Sequence, residues 1–260
     1  MESLRRPLAL ANWKMAMTVP ETLAFAEAFR TAVGDLVHAV DIVLCPPYTA
    51  LYPLHQALGK TPISMGAQDF CAESGKSHTG QISATLLVDA GCKWVMVGHW
   101  EVRRRTGEDD IALNRKARAA LRSGLRPVLL IGEETSDKQG LELALTSRLP
   151  DLLAGCLPEE VSTAAFIYEP EWTIGRFEPA PPDYIAEGCG LIRHWIGKTF
   201  GRRAAESLRI IYGGSVTPEN AEKILGSKEV DGLGAGRKGR DPLTFAQIVK
   251  LIVRVKVGMS

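Results

Sequence analysis

Short apolar runs and amphipathic stretches alternate along the whole chain, and that alternation predicts an order of elements. Leu8-Ala9-Leu10-Ala11-Asn12-Trp13 reads as a first strand. Thr18-Val19-Pro20-Glu21 has capping-box spacing with proline in the first turn, and predicts a helix to about Val33. Asp41–Cys45 is a second strand, stopped by Pro46-Pro47, with a helix over Leu51–Leu58. Pro62–Ala67 is a third strand, and a long polar loop, Gln68–Gly80, leads to a helix over Ile82–Ala90. Trp94–Gly98 is a fourth strand that ends at His99; a charged loop follows, then an amphipathic helix over Ile111–Ser123. Arg126–Ile131 is a fifth strand ending in Gly132-Glu133, with a helix reaching about Leu153. Ala164–Tyr168, Leu208–Tyr212 and Val230–Ala235 complete the strands. Helices follow them over Tyr184–Phe200, after Thr217-Pro218-Glu219 and after Asp241-Pro242.

The strands are near-continuous apolar runs, as parallel strands covered on both faces are. Eight strand–helix units with no linker or shift in composition predict an α/β protein, a single (β/α)8 barrel spanning 1–260, with a doubly wound open sheet as the alternative. In a barrel the strand C-termini gather on one face. Here they bring Asn12, Lys14, His99, Glu169, Ser215 and Gly236 together.

Composition narrows the classes of function. The chain of 260 residues is 45% hydrophobic with a net charge of +1, which gives no support for nucleic-acid binding or polybasic membrane attachment. Arg5-Arg6 precede an apolar run that Asn12 and Lys14 interrupt too early for a signal peptide, and no apolar stretch reaches membrane-spanning length. Five scattered cysteines without a Cys-x-x-Cys pair argue against a disulfide framework or structural zinc, and fit a reducing cytoplasm. Arg103-Arg104-Arg105 reads as a solvated loop or an interface.

The chemistry concentrates at the strand ends. Glu169 closes the sixth strand, because Pro170 cannot donate to a ladder. Trp172, Ile174 and Gly175 follow as an apolar loop with a flexible end, suited to a lid that excludes water. A carboxylate shut away from water is a general base with a raised pKa, although a strand-end Glu alone could equally cap the next element. Gly213-Gly214-Ser215-Val216 and Gly234-Ala235-Gly236 are adjacent turns whose N–H groups could cradle an anion; most Gly-Gly turns are merely turns, but two at these strand ends suit a phosphate. Lys14, Asn12 and His99 seen singly would read as a surface lysine, a turn asparagine and a structural histidine. Together they suit removal of a carbon-bound proton by a glutamate while an imidazole polarises the neighbouring carbonyl.

Asn12-Trp13-Lys14-Met15, Gly98-His99-x-Glu101, Tyr168-Glu169-Pro170-x-Trp172-x-Ile174-Gly175 and Tyr212-Gly213-Gly214-Ser215-Val216 stand in the same order as the signatures of the triosephosphate isomerase family, which the chain resembles over essentially its whole length. The resemblance implies a TIM barrel with no metal or organic cofactor and a small phosphorylated sugar as substrate. It implies Glu169 as base, His99 as electrophile, Lys14 as electrostatic stabiliser, Asn12 as orienting donor and Glu101 as a supporting carboxylate. Gly175, Ser215 and Gly236 would hold the phosphate, with Arg237 beside them. It also implies a homodimer in which the Gln68–Gly80 loop enters the neighbouring subunit and carries Thr79 toward Asn12.

The chain departs from that pattern at several positions. Trp100 stands where the family has a serine that contacts the glutamate, and is expected to reshape or block the sugar pocket. Val102 and Gln81 replace an arginine and a glutamate expected to pair across the dimer. The lid continues Gly175-Arg176-Phe177-Glu178-Pro179-Ala180, and the last cradle reads Gly236-Arg237. Three readings follow: an isomerase of triose phosphates, a tetrulose-phosphate isomerase of polyol catabolism similar to L-erythrulose 1-phosphate isomerase, or an inactive sugar-phosphate-binding paralogue. Retention of Asn12, Lys14, His99 and Glu169 argues against the third.

Overall fold

The computed structural model describes residues 5–73, 75–137 and 140–259. Eight parallel strands, β1 (Leu8–Asn12), β2 (Asp41–Cys45), β3 (Ser64–Ala67), β4 (Trp94–Val97), β5 (Arg126–Ile131), β6 (Ala165–Tyr168), β7 (Arg209–Gly213) and β8 (Gly232–Ala235), pair in sequence order and close into a barrel. The predicted (β/α)8 barrel is therefore the observed one, and the open sheet is excluded. Strands β1 and β8 close it in the register Leu8↔Gly232. A Cβ on Gly232 would sit 1.8 Å from the Leu8 carbonyl oxygen, so closure requires glycine there.

Two layers of apolar side chains explain why the strands show little alternation. Leu8, Leu10, Val43, Met96, Val128, Leu130, Ile167 and Ile211 fill the barrel interior. The outward-facing strand residues, such as Leu44, Val97, Leu129 and Phe166, pack against the surrounding helices. Helix α1 (Val19–Val33) starts where the Glu21 carboxylate accepts from the Thr18 N–H at 2.7 Å, the reciprocal half of the expected cap. Its Phe25 and Phe29 stack at 5.5 Å, and Phe29 stacks on Phe245 at 5.2 Å, joining the first helix to the last.

Helices α2 (Leu51–Leu58) and α3 (Ala84–Asp89) fall where the sequence predicts them. The charged loop after His99 is instead a helix, α4 (Trp100–Thr106), ahead of α5 (Asp110–Arg122). The long helix expected after β5 is broken into α6 (Leu141–Thr146) and α7 (Leu149–Leu152), because Pro150 lacks the N–H needed to continue. Helix α8 (Pro158–Thr163), not foreseen, precedes β6. Helix α9 (Pro182–Phe200) is followed by a second unforeseen helix, α10 (Arg202–Ser207), and then by α11 (Pro218–Leu225) and α12 (Pro242–Val257). None of the described helices is long and apolar enough to cross a membrane.

Candidate active site

A cavity of about 490 Å³ opens where the strands end, lined by Asn12, Lys14, His99, Glu169, Gly175, Ser215, Gly236 and Arg237 among others. Each is set by its strand. Asn12 is the buried last residue of β1, and its Oδ1 accepts from the Lys14 N–H at 2.9 Å. That contact, with Gln68 Nε2 donating to the Lys14 carbonyl at 2.8 Å, holds Lys14 at a φ of 53°, a conformation few side-chain-bearing residues adopt. Lys14 Nζ lies 2.8 Å from Glu101 Oε1.

His99 caps α4, and its Nδ1 accepts from the Glu101 N–H at 3.2 Å. An accepting Nδ1 assigns the proton of a neutral ring to Nε2. Burial, helped by the Lys14 charge and opposed by Glu101, pulls the His99 pKa down to about 4, so the ring is a neutral donor at physiological pH. Glu169 extends the β6 ladder by one bond, its N–H donating to the Ile131 carbonyl at 2.9 Å, and Pro170 then ends it. A Cβ on Gly132 would collide with the Glu169 carbonyl at 1.8 Å, so the strand-end backbones need a glycine to approach this closely. Burial pushes the Glu169 pKa up to about 7; the Lys14 charge opposes this, while Glu101 and Glu171 add to it. One group is a carboxylate poised near neutrality, and the other is an imidazole too weakly basic to be charged.

At the opposite side, Gly214 and Ser215 take φ values of 119° and 48°, the tight turn that an anion cradle needs. The Ser215 hydroxyl donates to the Arg176 carbonyl at 2.6 Å, tying the lid to β7. Arg237 lies 5.8 Å from the centre of the Phe177 ring. Arg176, Lys238 and Arg240 also line the cavity, so it is richer in cations than Arg237 alone suggests.

Glu101 and Trp100 do not line this cavity. Glu101 reaches it through its contacts with Lys14 and His99. The Trp100 indole neither fills nor blocks the pocket: it stands under Arg104 at 4.8 Å and Lys14 at 5.8 Å, and borders a small void behind Glu169. Those cations hold the ring face to one side, which the size of the side chain alone does not reveal.

Sequence reasoning missed Glu133. Its buried carboxylate accepts from Tyr168 Oη at 3.1 Å, Trp172 Nε1 at 2.9 Å and Tyr184 Oη at 2.9 Å, fixing the start of the lid to β6 and α9. Its signal resembles the one that exposed Glu169: a carboxylate just beyond an apolar strand, here one glycine past Ile131. At the lid's other end the Ala180 N–H donates to Tyr212 Oη at 3.0 Å.

The triosephosphate isomerase family model matches residues 7–252. The triosephosphate isomerase of Symbiobacterium thermophilum is 38% identical, the alignment covering 94% of this chain and 96% of that one. Those of Solibacter usitatus and Carboxydothermus hydrogenoformans are 37% and 36% identical, each over 95% of this chain and 99% of their own. A barrel with these residues at its strand ends, matched along nearly its whole length, belongs to the triosephosphate isomerase family and is an isomerase of that type.

Proposed function

We propose that this enzyme interconverts dihydroxyacetone phosphate and glyceraldehyde 3-phosphate through an enediolate, with Glu169 as the base. The observation that carries this reading is the pairing, in one cavity, of a carboxylate raised to about 7 with an imidazole lowered to about 4, opposite an anion cradle. Glu169 takes a proton from the carbon next to the carbonyl. The C–H electron pair becomes the new C=C bond, and the carbonyl π pair moves to oxygen, where His99 Nε2–H and the Lys14 ammonium stabilise it. Returning the proton to the neighbouring carbon, with the hydroxyl proton moved between the two oxygens, gives the isomer. No oxidant or reductant is consumed.

The backbone N–H groups of Gly175, Ser215 and Gly236 hold the phosphate, with Arg237 supplying charge. Asn12 orients Lys14, and Glu101 positions both Lys14 and His99. The lid, tied down at Glu133, Ser215 and Tyr212, excludes water so that these charges act in a medium of low polarity. Trp100 tunes specificity from behind the base rather than from the pocket wall.

The chain acts as a homodimer in this reading. Met15, next to Lys14, is 99% exposed, and Tyr48 and Leu86 are 42% and 53% exposed. Residues 75–80 of the Gln68–Gly80 loop are exposed as well, and Ser74 lies outside the described residues. Apolar exposure beside a catalytic strand end suits a surface that a second copy covers. A cytoplasmic setting fits the free thiols of Cys45, Cys71, Cys92, Cys156 and Cys189. The test is a substrate panel with purified protein. Turnover of the triose phosphates with Glu169→Gln inactive supports the reading; phosphate-sugar binding without turnover by the wild type contradicts it.

A further inference from the structure

The strand glycines at the cavity are not equivalent. Gly213 and Gly234 are register partners on β7 and β8, and both line the cavity. A Cβ on Gly213 would come within 2.7 Å of Ile167 Cγ2, so packing keeps that position bare. A Cβ on Gly234 would meet nothing nearer than 3.7 Å, an ordinary contact with Ile167 Cδ1, Ile211 Cδ1 and the Tyr212 carbonyl oxygen. Its φ is not in the positive range either. Neither packing nor backbone conformation therefore requires glycine at 234. Glycine inside a strand weakens it, and where the backbone does not demand it, it marks a close approach by something else.

The place of Gly234 says what approaches. Side chains two residues apart on a strand face the same way. Gly234 faces the barrel interior two residues before Gly236, which follows the end of β8, and its neighbour Ile167 shares a face with Glu169, which continues the β6 ladder. The bare position lines the cavity beside Ile167, whose strand leads to Glu169, and its own strand leads to Gly236. A triose phosphate spans those two anchors directly. A chain one carbon longer, held at the same anchors, must bow sideways, and room for the bow exists where a side chain is missing. The apolar floor of Leu10, Met96, Leu130 and Ile167 accepts the C–H side of the added carbon, leaving its hydroxyl toward the polar mouth.

We propose that Gly234 is a specificity-determining position that extends this enzyme's activity to four-carbon sugars phosphorylated at the carbon farthest from the carbonyl. This rests on the isomerase reading of the site. The reaction is the same proton shift between the first two carbons, so it needs no further reactant. The added carbon sits between the reacting centre and the phosphate, and its hydroxyl does not react.

Erythrose 4-phosphate is the probe, compared with glyceraldehyde 3-phosphate in the wild type and in Gly234→Ala, with product identified by NMR. The wild type should isomerise both. Alanine fits without collision, so the variant's melting temperature should not fall. Its kcat/KM ratio, four-carbon over three-carbon, should drop by about 10-fold or more, the scale on which one carbon-sized group discriminates. A wild type that converts the triose phosphate but not erythrose 4-phosphate overturns the inference without help from any variant. An unchanged ratio in Gly234→Ala overturns it as well. A wild type inactive on both would instead overturn the isomerase reading beneath it.

Discussion

Glu169 and His99 are displaced in opposite directions by one cause, burial, because the charged form of one is basic and of the other acidic. With Glu169 as the proposed base, activity requires it ionised, so kcat/KM should rise with pH and level off above about 7. The neighbours give the test its sign. Lys14 lowers the Glu169 pKa, so Lys14→Met should move the acid limb to higher pH beyond its loss of rate; Glu101 raises it, so Glu101→Gln should move the limb lower. Stability follows the same displacements. Glu169 holds its proton to higher pH folded than unfolded, so its contribution is full below about 4.5 and lost as pH rises to about 7. His99 runs the other way: its contribution is full above about 6.5 and lost as pH falls to about 4. Denaturant titrations of Glu169→Gln and His99→Gln across pH would read each slope. Glu169→Asp withdraws the carboxylate by a methylene, and a misplacement of about 1 Å should cost about 10²-fold in rate while ligand binding persists. The gathering of these residues in one cavity could be read from the sequence because each lies at, or within two residues of, the end of an apolar strand. The conformation of Lys14 and the tautomer of His99 could not: the first depends on Gln68, distant in sequence, and the second on His99 starting a helix where the charged stretch predicted a loop.

Among the elements, those with an apolar stripe were foreseen and those without one were not. Helix α4 has no buried residue, and its Arg103-Arg104-Arg105 run carries no periodicity. Its ends are nevertheless built, with His99 as cap and Gly107 in a left-handed turn. Arg103 pairs with Asp110 at 3.2 Å and Arg104 with Glu171 at 3.5 Å, so these charges join α4 to α5 and to the lid. The lid shows the same limit. Its apolar run was visible, but its anchor on Glu133 needs donors from three elements that only the closed barrel brings together. Glu133→Leu should leave three donors without that acceptor, at about 1–3 kcal/mol each, and should lower kcat as the lid loses its hinge. Urea unfolding with parallel kinetics would check it; Glu133→Gln, which keeps an acceptor, should be milder in both.

On the scale of the whole molecule, closure joins the two ends of the chain. Phe29 on α1 stacks on Phe245 of α12, and both are fully buried. Phe29→Ala should cost about 3–5 kcal/mol in unfolding free energy with the chemistry intact in what remains folded. Sedimentation at micromolar concentration should give a dimer, with Thr79→Arg shifting it toward monomer and lowering activity. The most direct measurement is of the proton itself. Dihydroxyacetone phosphate incubated with the enzyme in D2O should yield glyceraldehyde 3-phosphate carrying deuterium on the newly protonated carbon, because a carboxylate that has taken the substrate's proton can exchange it with solvent before returning one. Absence of deuterium at that carbon even after many cycles of interconversion, when a proton held by a carboxylate has had repeated chances to exchange, would point to a direct hydride shift and contradict Glu169 as the base.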